Sequence, residues 1–328
     1  MNNLKKIGLT ALAASLVSTS VFAGEVTVAG SASMTVEGYS GTDQDGGKGF
    51  SMGNQLTFTG GGELDNGLTV GISFVLDQGD NETETEAGEG TSPFDSHSVH
   101  ISSDALGKLT LHGEGGSSAQ GALDTTAAGD VWDTFDNTAL TSGVKVKSSS
   151  ANGDTLVYAL PTMMDDLAIS ASYSPQEATV SSATSYAATY TGVEGLSVSY
   201  GKGEVTTAAG PSGANADATT MKASYAYGSF TLAYSDNDYA TDVADNDQET
   251  TSYKVSYTVS DEISVSYGHE EIDEESEALD AEFEKITVAY TSGGMTLTAT
   301  AAESSDAAHS SGTADDRDYW SLGLAFAF

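Results

Sequence analysis

The sequence predicts an all-β fold, a 16-stranded antiparallel β-barrel that crosses a membrane with its strands. Three observations support this prediction: polarity alternates with a period of two, short glycine-containing turns alternate with long acidic loops, and large aliphatic residues are few. The 328 residues carry a formal net charge of -37. Low apolar content with high net charge is also typical of disordered chains, but such chains lack regular alternation. Periodicity therefore favours a folded β protein.

The alternation continues from residue 25 to the C-terminus. In the segment 68–77, apolar residues occupy every second position, and mostly small or polar residues lie between them. This period is typical of strands. In a barrel within lipid the apolar positions face outward and the polar positions face a water-filled interior, so no large apolar core is needed. A secreted β-sandwich or a calcium-loaded β-solenoid also alternates, but no fixed-length repeat with solenoid glycines is visible.

The connections are of two kinds. Short turns are predicted at 64–67, 104–107, 192–195 and 291–294, and long acidic loops at 78–95, 205–217, 237–247, 272–280 and 304–315. Strands are then expected to start near 25, 50, 68, 96, 108, 153, 167, 181, 195, 218, 229, 249, 262, 281, 294 and 317. An even number of strands with short turns at one end and long loops at the other indicates an outer-membrane barrel. Sixteen strands leave an aqueous channel.

Residues 1–23 have the pattern of a signal peptide. Lys5 and Lys6 precede the apolar stretch 7–17, and Val21-Phe22-Ala23 places small residues at the expected cleavage positions. The alternative is a buried N-terminal helix. We therefore predict two segments, a cleaved signal peptide over 1–23 and one barrel domain over 24–328. After residue 23, no apolar run approaches the ~20 residues of a membrane helix.

Composition also excludes several classes of function. The 48 acidic and 11 basic residues repel phosphates, so nucleic acid is not an expected partner. The chain has no cysteine, which excludes disulfides, thiolate metal sites and cysteine nucleophiles. No nucleophile elbow of the serine hydrolases is present, and we do not expect an enzyme.

The final segment, 319–328, ends on an aromatic residue and resembles the C-terminal assembly signal of outer-membrane barrels. Its outward positions are Trp320, Leu322, Leu324, Phe326 and Phe328. With the signal peptide, the opening segment 25–30, the segment 101–114 and the strand count, the chain resembles the trimeric general diffusion porins of Gram-negative bacteria, in particular the alphaproteobacterial (Rhodobacter-type) group. The resemblance implies passive diffusion of small hydrophilic solutes, a homotrimer, the barrel-assembly machinery as partner, and outer-membrane lipid and lipopolysaccharide as surroundings.

The resemblance also implies that the third loop folds into the barrel and narrows it. This loop would occupy the irregular segment 115–152, with Trp132 and Phe135 as anchors on the wall. The acidic residues expected at the constriction are Glu114, Asp124, Asp130, Asp133 and Asp136. The alternative is an acidic loop that stays outside the barrel.

The basic wall that this family places opposite the loop is reduced here. After residue 23 the chain has one arginine, Arg317, and eight lysines, so an arginine cluster cannot be assembled. Candidate basic or polar wall residues, chosen by strand parity, are Lys145, Lys147, Lys222, Lys254, Lys285, His100 and His112. Carboxylates at a constriction favour cations, so we expect a weak to moderate preference for cations.

Clustered loop acids suggest a candidate Ca²⁺ site and no other cofactor. The residues are Asp43, Asp45, Asp242, Asp245 and Asp247, although a complete twelve-residue calcium loop is not present. Loose bridging of divalent cations to anionic lipopolysaccharide is the alternative. Three other functions remain open at this point: a substrate-selective channel, a barrel-anchored surface or adhesion protein, and an outer-membrane hydrolase.

Overall fold

The computed structural model describes residues 26–41, 47–77, 96–135, 144–150, 154–175, 181–206, 215–307, 309 and 316–328. Sixteen antiparallel strands pair in chain order, and β1 pairs with β16 to close a barrel. The strands are β1 Thr27–Gly41, β2 Lys48–Glu63, β3 Thr69–Asp77, β4 Ser96–Ser103, β5 Gly107–Glu114, β6 Thr155–Ala159, β7 Leu167–Ser174, β8 Ser182–Val193, β9 Leu196–Thr206, β10 Ala216–Tyr227, β11 Phe230–Thr241, β12 Gln248–Thr258, β13 Ile263–Glu274, β14 Ala281–Ser292, β15 Met295–Ser305 and β16 Arg317–Ala327. The predicted signal peptide, 1–23, lies outside the described residues.

The predicted fold class is confirmed. All sixteen strands are present, and each starts within two residues of its predicted position, the largest differences being at β1, β2, β6 and β10. The period of two was sufficient because every strand has one apolar and one polar face. Among the described residues, no helix is long and apolar enough to span a membrane.

The two termini of the barrel domain meet at the closure. The N–H of Gly30 donates to the carbonyl of Phe328 at 2.7 Å, and the N–H of Phe328 donates to the carbonyl of Gly30 at 2.9 Å. On β16, Trp320 and Leu322 point outward and are 40% and 48% exposed. The final strand is therefore the element that completes the cylinder.

The outer surface of the barrel is apolar and rich in tyrosine. Exposed outward residues include Ile72, Val99, Leu111, Tyr173, Tyr190, Tyr200, Leu232, Tyr234, Val255, Tyr257, Ile286, Val288 and Leu322. Such a band suits the hydrocarbon layer, and the tyrosines suit its interfaces with water. The interior-facing positions are mostly serine, threonine, glycine and alanine.

The outer surface also carries carboxylates near the long-loop ends of β9–β16, where acids lie directly opposite acids on neighbouring strands. The cross-strand pairs are Asp217–Glu204, Asp238–Glu249, Glu249–Asp273, Glu271–Glu282, Glu284–Glu303 and Glu303–Asp318. Like charges in directly opposed positions destabilise a sheet. Lys202 partly compensates one pair through an ion pair with Asp217 at 3.7 Å.

Glu249 has an acid opposite it on both sides, Asp238 and Asp273. We therefore expect Glu249→Gln to stabilise the barrel by about 0.5 kcal/mol at low ionic strength, and by less as salt screens the repulsion. The measurement is the urea midpoint of unfolding from lipid vesicles. Glu63→Gln makes the same chemical change on the interior face and is the control, because Glu63 pairs with Thr69, an uncharged residue. Equal midpoints for Glu249→Gln and the unsubstituted protein at low salt would contradict the prediction.

Candidate functional site

The segment between β5 and β6, residues 115–154, is called the inner loop below, and its described residues contact the inside of the barrel wall. Its described parts are 115–135, 144–150 and residue 154. It contains two short 3₁₀ helices, η1 Gly121–Leu123 and η2 Val131–Phe135. The prediction of an inward-folded third loop is confirmed, because this segment contacts interior-facing residues of the wall.

The first part of the inner loop is attached by uncharged hydrogen bonds. The N–H of Ala119 donates to Ser172 Oγ at 2.9 Å on β7, and the N–H of Gln120 donates to Ser185 Oγ at 3.1 Å on β8. The side-chain amide of Gln120 donates to Thr220 Oγ1 at 2.8 Å on β10. Gln120 is 1% exposed. Small hydroxyl side chains on the wall thus hold the backbone of the loop.

The middle of the inner loop lies directly on the sheet. The N–H of Ala127 donates to Ser235 Oγ at 2.8 Å and to Ser252 Oγ at 2.7 Å, on β11 and β12. Ala128 packs against Gly268 of β13 so closely that a Cβ atom at residue 268 would lie 3.0 Å from the Cβ of Ala128. A larger residue at position 268 would therefore push the loop toward the lumen.

The carboxylate of Glu270 on β13 accepts three hydrogen bonds from the inner loop. Thr126 Oγ1 donates to Oε2 at 2.6 Å, the N–H of Val131 donates to Oε2 at 3.2 Å, and the N–H of Trp132 donates to Oε1 at 3.1 Å. The Glu270 side chain is fully buried. It supplies acceptors for two N–H groups at the start of η2, which have no partner within so short a helix.

Beyond this contact, η2 ends in an apolar cluster. Phe135 is fully buried, and its ring lies 5.8 Å from that of Phe283 and 6.5 Å from those of Tyr39 and Tyr319. The hydroxyl of Tyr39 also donates to the carbonyl of Thr134 at 2.8 Å. Both predicted anchors, Trp132 and Phe135, pack in this cluster. The inner loop therefore extends around the wall from β5 to β1.

Three of the predicted constriction acids lie on the described part of the inner loop. Asp124 is partly buried. Burial raises the pKa of its carboxyl group, and a hydrogen bond with Ser148 opposes this shift. Asp130 Oδ1 accepts the N–H of Thr126 at 2.8 Å, and Asp133 is exposed. Asp136 lies outside the described residues.

Glu114, the fourth described candidate, is placed differently from the others. A β-bulge shifts the register between His97 and Ser98, so that Glu114 pairs with His97. Glu114 Oε2 lies 3.9 Å from Nδ1 of His97, a residue that shares the outward parity of Val99. The strand parity from which Glu114 was assigned to the lumen does not continue through the bulge.

The lysines expected to form a basic wall lie beside the inner loop. Lys222 on β10 donates to the carbonyl of Thr125, and Lys285 on β14 donates to the carbonyl of Gly129 at 3.1 Å. Lys254 lies between them on β12, at an interior-facing position. These ammonium groups thus hold the loop and partly balance its acids.

The remaining lysine candidates, Lys145 and Lys147, belong to the returning part of the inner loop, and the arginine of the barrel domain lies on β16. Lys147 Nζ forms an ion pair with Glu274 at 2.9 Å. The carbonyl of Lys145 accepts a hydrogen bond from the side chain of Gln248 at 2.8 Å. Arg317 is 6% exposed on β16. The side chain of Lys147 and the backbone of Lys145 are therefore held by β13 and β12, on the side of the barrel where the inner loop attaches.

We call the interior face of β2–β5 the open wall, because the inner loop attaches to the other side of the barrel. Tyr39 on β1 and Ser172 on β7 both contact the inner loop and therefore face the interior. The register of the strands between them then shows which residues of β2–β5 also face the interior. They include Ser51, Gly53, Gln55, Thr57, Ser73, Val75, Asp77, Ser98, His100, Thr110 and His112. The structure thus places both predicted histidines on a mostly uncharged surface that faces the loop across the lumen.

The calcium candidates that are described take part in hydrogen bonds of a loop end. Asp242 accepts two hydrogen bonds from Asn215, at 2.9 and 3.0 Å, and Asp247 Oδ1 accepts the N–H of Thr241 at 2.7 Å. Asp245 has a positive φ of 60°. Within the described ranges, no group of three or more His, Asp or Glu side chains is placed to hold a metal ion. Asp43 and Asp45 lie outside those ranges.

Sequence reasoning missed the wall residues that hold the inner loop. Ser172, Ser185, Ser235 and Ser252 are interior-facing serines in a chain where serine is frequent, so nothing distinguishes them in the sequence. Glu270 did carry a signal, since it is an acidic residue on the interior parity of β13, where the preceding interior residues are serine and glycine.

Comparisons with known proteins agree with this arrangement. No curated protein matches the sequence. A porin refined at 1.8 Å resolution superposes with a TM-score of 0.64 at 19% identity, covering 93% of this chain and 100% of that chain. A loop L8 deletion mutant of OmpT from Vibrio cholerae gives 0.68 at 15% identity with the same coverage. A mutant of Rh. blastica porin gives 0.62 at 13% identity, again covering 93% and 100%.

At these identities the solved structures establish the fold alone. The family assignment comes from the sequence, because the family model for Gram-negative porins matches residues 8–291, most of the chain. The chain belongs to the Gram-negative porin family.

Proposed function

We propose that the protein is a passive diffusion channel of the outer membrane for small hydrophilic solutes and ions, with a preference for cations. The observation that carries this proposal is the course of the inner loop, which brings Asp124, Asp130 and Asp133 into a water-filled barrel opposite a mostly uncharged wall. Charge of one sign in a narrow, low-dielectric passage concentrates its counter-ions.

The expected preference is modest for two reasons. Lys222 and Lys285 lie on the same side as the acids and offset part of their charge. Salt also screens charges beyond about 8 Å at physiological ionic strength, so acids on the outer rim contribute little. The passage should therefore admit anions as well, at a lower rate.

The test is reconstitution of the purified barrel in planar bilayers with a KCl gradient. We expect stepwise increases in conductance and a reversal potential directed toward the potassium equilibrium value. An anion-directed potential would contradict the cation preference and indicate that the lysines dominate. Absence of conductance from a barrel shown to be folded would contradict the channel itself.

We also propose a homotrimer that assembles through the side of the barrel formed by β3–β7. Within the described residues, these strands have five to nine residues, whereas β8–β16 have eleven or twelve. A strand needs about 9–11 residues to cross the hydrocarbon layer. Strands shorter than the hydrocarbon layer are better covered by a neighbouring barrel than by lipid.

Charge supports the same side of the barrel as the trimer contact. Apart from Glu114 at the bulge, the outward positions of β1–β8 carry no carboxylate within the described strands, whereas those of β9–β16 carry the acidic pairs described above. Two copies that met through β9–β16 would repel each other. Chemical cross-linking should therefore give trimers, which Leu111→Glu on the outward face of β5 should reduce to monomers. Trimers that withstand this substitution would contradict the proposed contact.

The route of the protein to the membrane is proposed from its sequence. We infer that residues 1–23 are removed on export, that the barrel-assembly machinery recognises the final strand, and that lipopolysaccharide surrounds the long-loop ends. Divalent cations, including Ca²⁺, would reduce the repulsion between acidic loops and anionic lipid. No catalytic role is proposed.

The histidines of the open wall should make ion selectivity depend on pH. Lowering the pH from about 7.5 to about 4.5 protonates imidazoles, which adds positive charge opposite the loop acids and lowers the cation preference. We expect His100→Asn/His112→Asn to remove most of this change, measured as the reversal potential at both pH values. The carboxylates are the same in both proteins, so the difference between them isolates the histidines. An identical pH dependence in both proteins would contradict the prediction.

A further inference from the structure

The inner loop is attached in two parts of different chemistry. The first part, near η1, is held by neutral hydroxyl and amide groups, including Ser172, Ser185 and Thr220. The second part, from residue 126 to η2, is held by the charged side chains of Glu270 and Lys285 together with the apolar cluster around Phe135. The two parts can therefore respond differently to a change of charge.

We propose that Glu270 is a latch that keeps the second part of the inner loop on the wall, and that the channel closes when this carboxylate loses its hold on Thr126, Val131 and Trp132. The proposal rests on the proposed channel function. Glu270 would act as a positioning residue, because it sets the place of the loop and does not itself line the passage.

The number and type of its contacts support the role of Glu270 as a latch. One fully buried carboxylate receives a hydroxyl and two backbone N–H groups, all from the inner loop. A buried charge without donors is strongly disfavoured, so the contacts form and break together. Thr126 adds a second layer, since its Oγ1 also accepts the N–H groups of Gly129 and Asp130 at 3.1 and 2.9 Å.

The backbone offers a place where the second part can move. Gly129 has a φ of +89°, and a Cβ atom built on it meets no atom within 4 Å, so the residue has room on its Cβ side, while its N–H and carbonyl are held by Thr126 and Lys285. Asp130 follows with a φ of +47°. Rotation at these two residues would carry η2 into the lumen while Ala119 and Gln120 stay attached to the wall.

The first experiment compares Glu270→Gln with Glu271→Gln in planar bilayers. A glutamine amide has one oxygen and one NH2 group. In Glu270→Gln, the NH2 group would therefore face either the donors of Thr126 and Val131 or the N–H of Trp132, and the hydrogen bonds on that side would be lost. Loss of a hydrogen bond to a charged group should raise the closed-to-open population about tenfold and lower the voltage that closes the channel. Glu271→Gln makes the same chemical change on the outward face of the same strand and should behave as the unsubstituted protein.

A second readout is independent of conductance. The chain has two tryptophans, so Trp320→Phe leaves Trp132 as the only tryptophan, whose emission is selected by excitation at the red edge of the absorption band. In that background, Glu270→Gln should shift the emission of Trp132 to longer wavelength and increase its quenching by acrylamide. Thr126→Val, which removes one donor to Glu270, should give the same changes. If Glu270→Gln does not fold, Thr126→Val provides the test of the latch.

A pH profile separates the latch from a purely structural role. The charged groups near Glu270 are Asp130 on the loop and Lys285 on the wall, and Lys285 in turn lies near Asp133 and Lys254. Acid should lower the closing voltage of the unsubstituted channel by neutralising Glu270, whereas the Glu270→Gln profile should be flatter. The pH dependence of the closing voltage that remains in Glu270→Gln is the contribution of the other charged groups.

The outcomes are distinguishable. Unchanged closing voltage and unchanged Trp132 quenching in Glu270→Gln and Thr126→Val would overturn the latch while leaving the channel intact. Quenching that changes in a barrel that conducts no ions would support the attachment by Glu270 and contradict the channel function, and with it the proposed closure. Changes of equal size in Glu271→Gln would also overturn the proposal.

Discussion

Replacing Asp130 and Asp133 together with asparagine should lower the ratio of potassium to chloride permeability about fivefold. Each carboxylate at about 10 Å from a passing ion stabilises a cation and destabilises an anion by roughly 0.25 kcal/mol each, at an effective dielectric constant of about 40 for a water-filled passage and after screening by salt, so it contributes roughly 0.5 kcal/mol to the difference between them. Two such contributions change a permeability ratio by about this factor. The measurement is the reversal potential across a KCl gradient.

Asparagine is the appropriate replacement because it preserves the shape of the loop. Asp130 has a φ of +47°, a conformation that asparagine tolerates well. After Asp130→Asn, the side-chain amide oxygen can still accept the N–H of Thr126 that the carboxylate accepts now. The substitution thus removes charge while keeping the hydrogen bond that supports the turn.

The control removes two charges elsewhere on the barrel. Glu249→Gln/Asp273→Asn changes the net charge by the same amount on the outward face of β12 and β13, and its permeability ratio should equal that of the unsubstituted protein. If the control variant changed the ratio as much as the loop variant, selectivity would reflect the net charge of the barrel and not the acids of the inner loop. An unchanged ratio in the loop variant would assign selectivity to residues outside the described part of the loop.

The sequence predicted the barrel well because a membrane strand is defined by local alternation. A period of two identifies each strand, and a turn or an acidic loop identifies each end, so the sixteen starts required no long-range information. The course of the inner loop followed from the family resemblance and from an irregular segment that is too long for a simple connection.

The contacts within the barrel were harder to predict from the sequence, because they join residues far apart in the chain. Glu270 and Thr126 are separated by 144 positions, and Lys285 and Gly129 by 156. Strand parity placed Lys222 and Lys285 in the lumen but did not show that they donate hydrogen bonds to carbonyls of the inner loop. At Glu114, parity itself ended at a β-bulge, which a single sequence does not reveal.

Replacing Phe135 with alanine should release the end of η2 from the wall and leave the barrel folded. Truncating a fully buried phenylalanine costs about 3–5 kcal/mol, and here the loss falls on the cluster with Phe283, Tyr39 and Tyr319 that holds the end of the helix. The barrel keeps its strand pairing, because Phe135 is not part of any strand. We expect rapid cleavage of the inner loop by added protease, with frequent closures in single-channel records.

Phe230→Ala is the matched control, since Phe230 is 52% exposed on the outward face of β11. It should change neither cleavage of the inner loop nor channel closure. A Phe135→Ala loop as resistant to protease as the original would show that Glu270 alone suffices to hold η2.

The two anchors of η2 also predict different responses to acid. Closure of Phe135→Ala should still become easier as the pH falls, because Glu270 continues to hold the start of η2 and can still be neutralised. In Glu270→Gln/Phe135→Ala, closure should be frequent at every pH, since neither anchor remains. A double variant no more prone to closure than the single variants would mean that the two contacts form one unit, because independent contacts add.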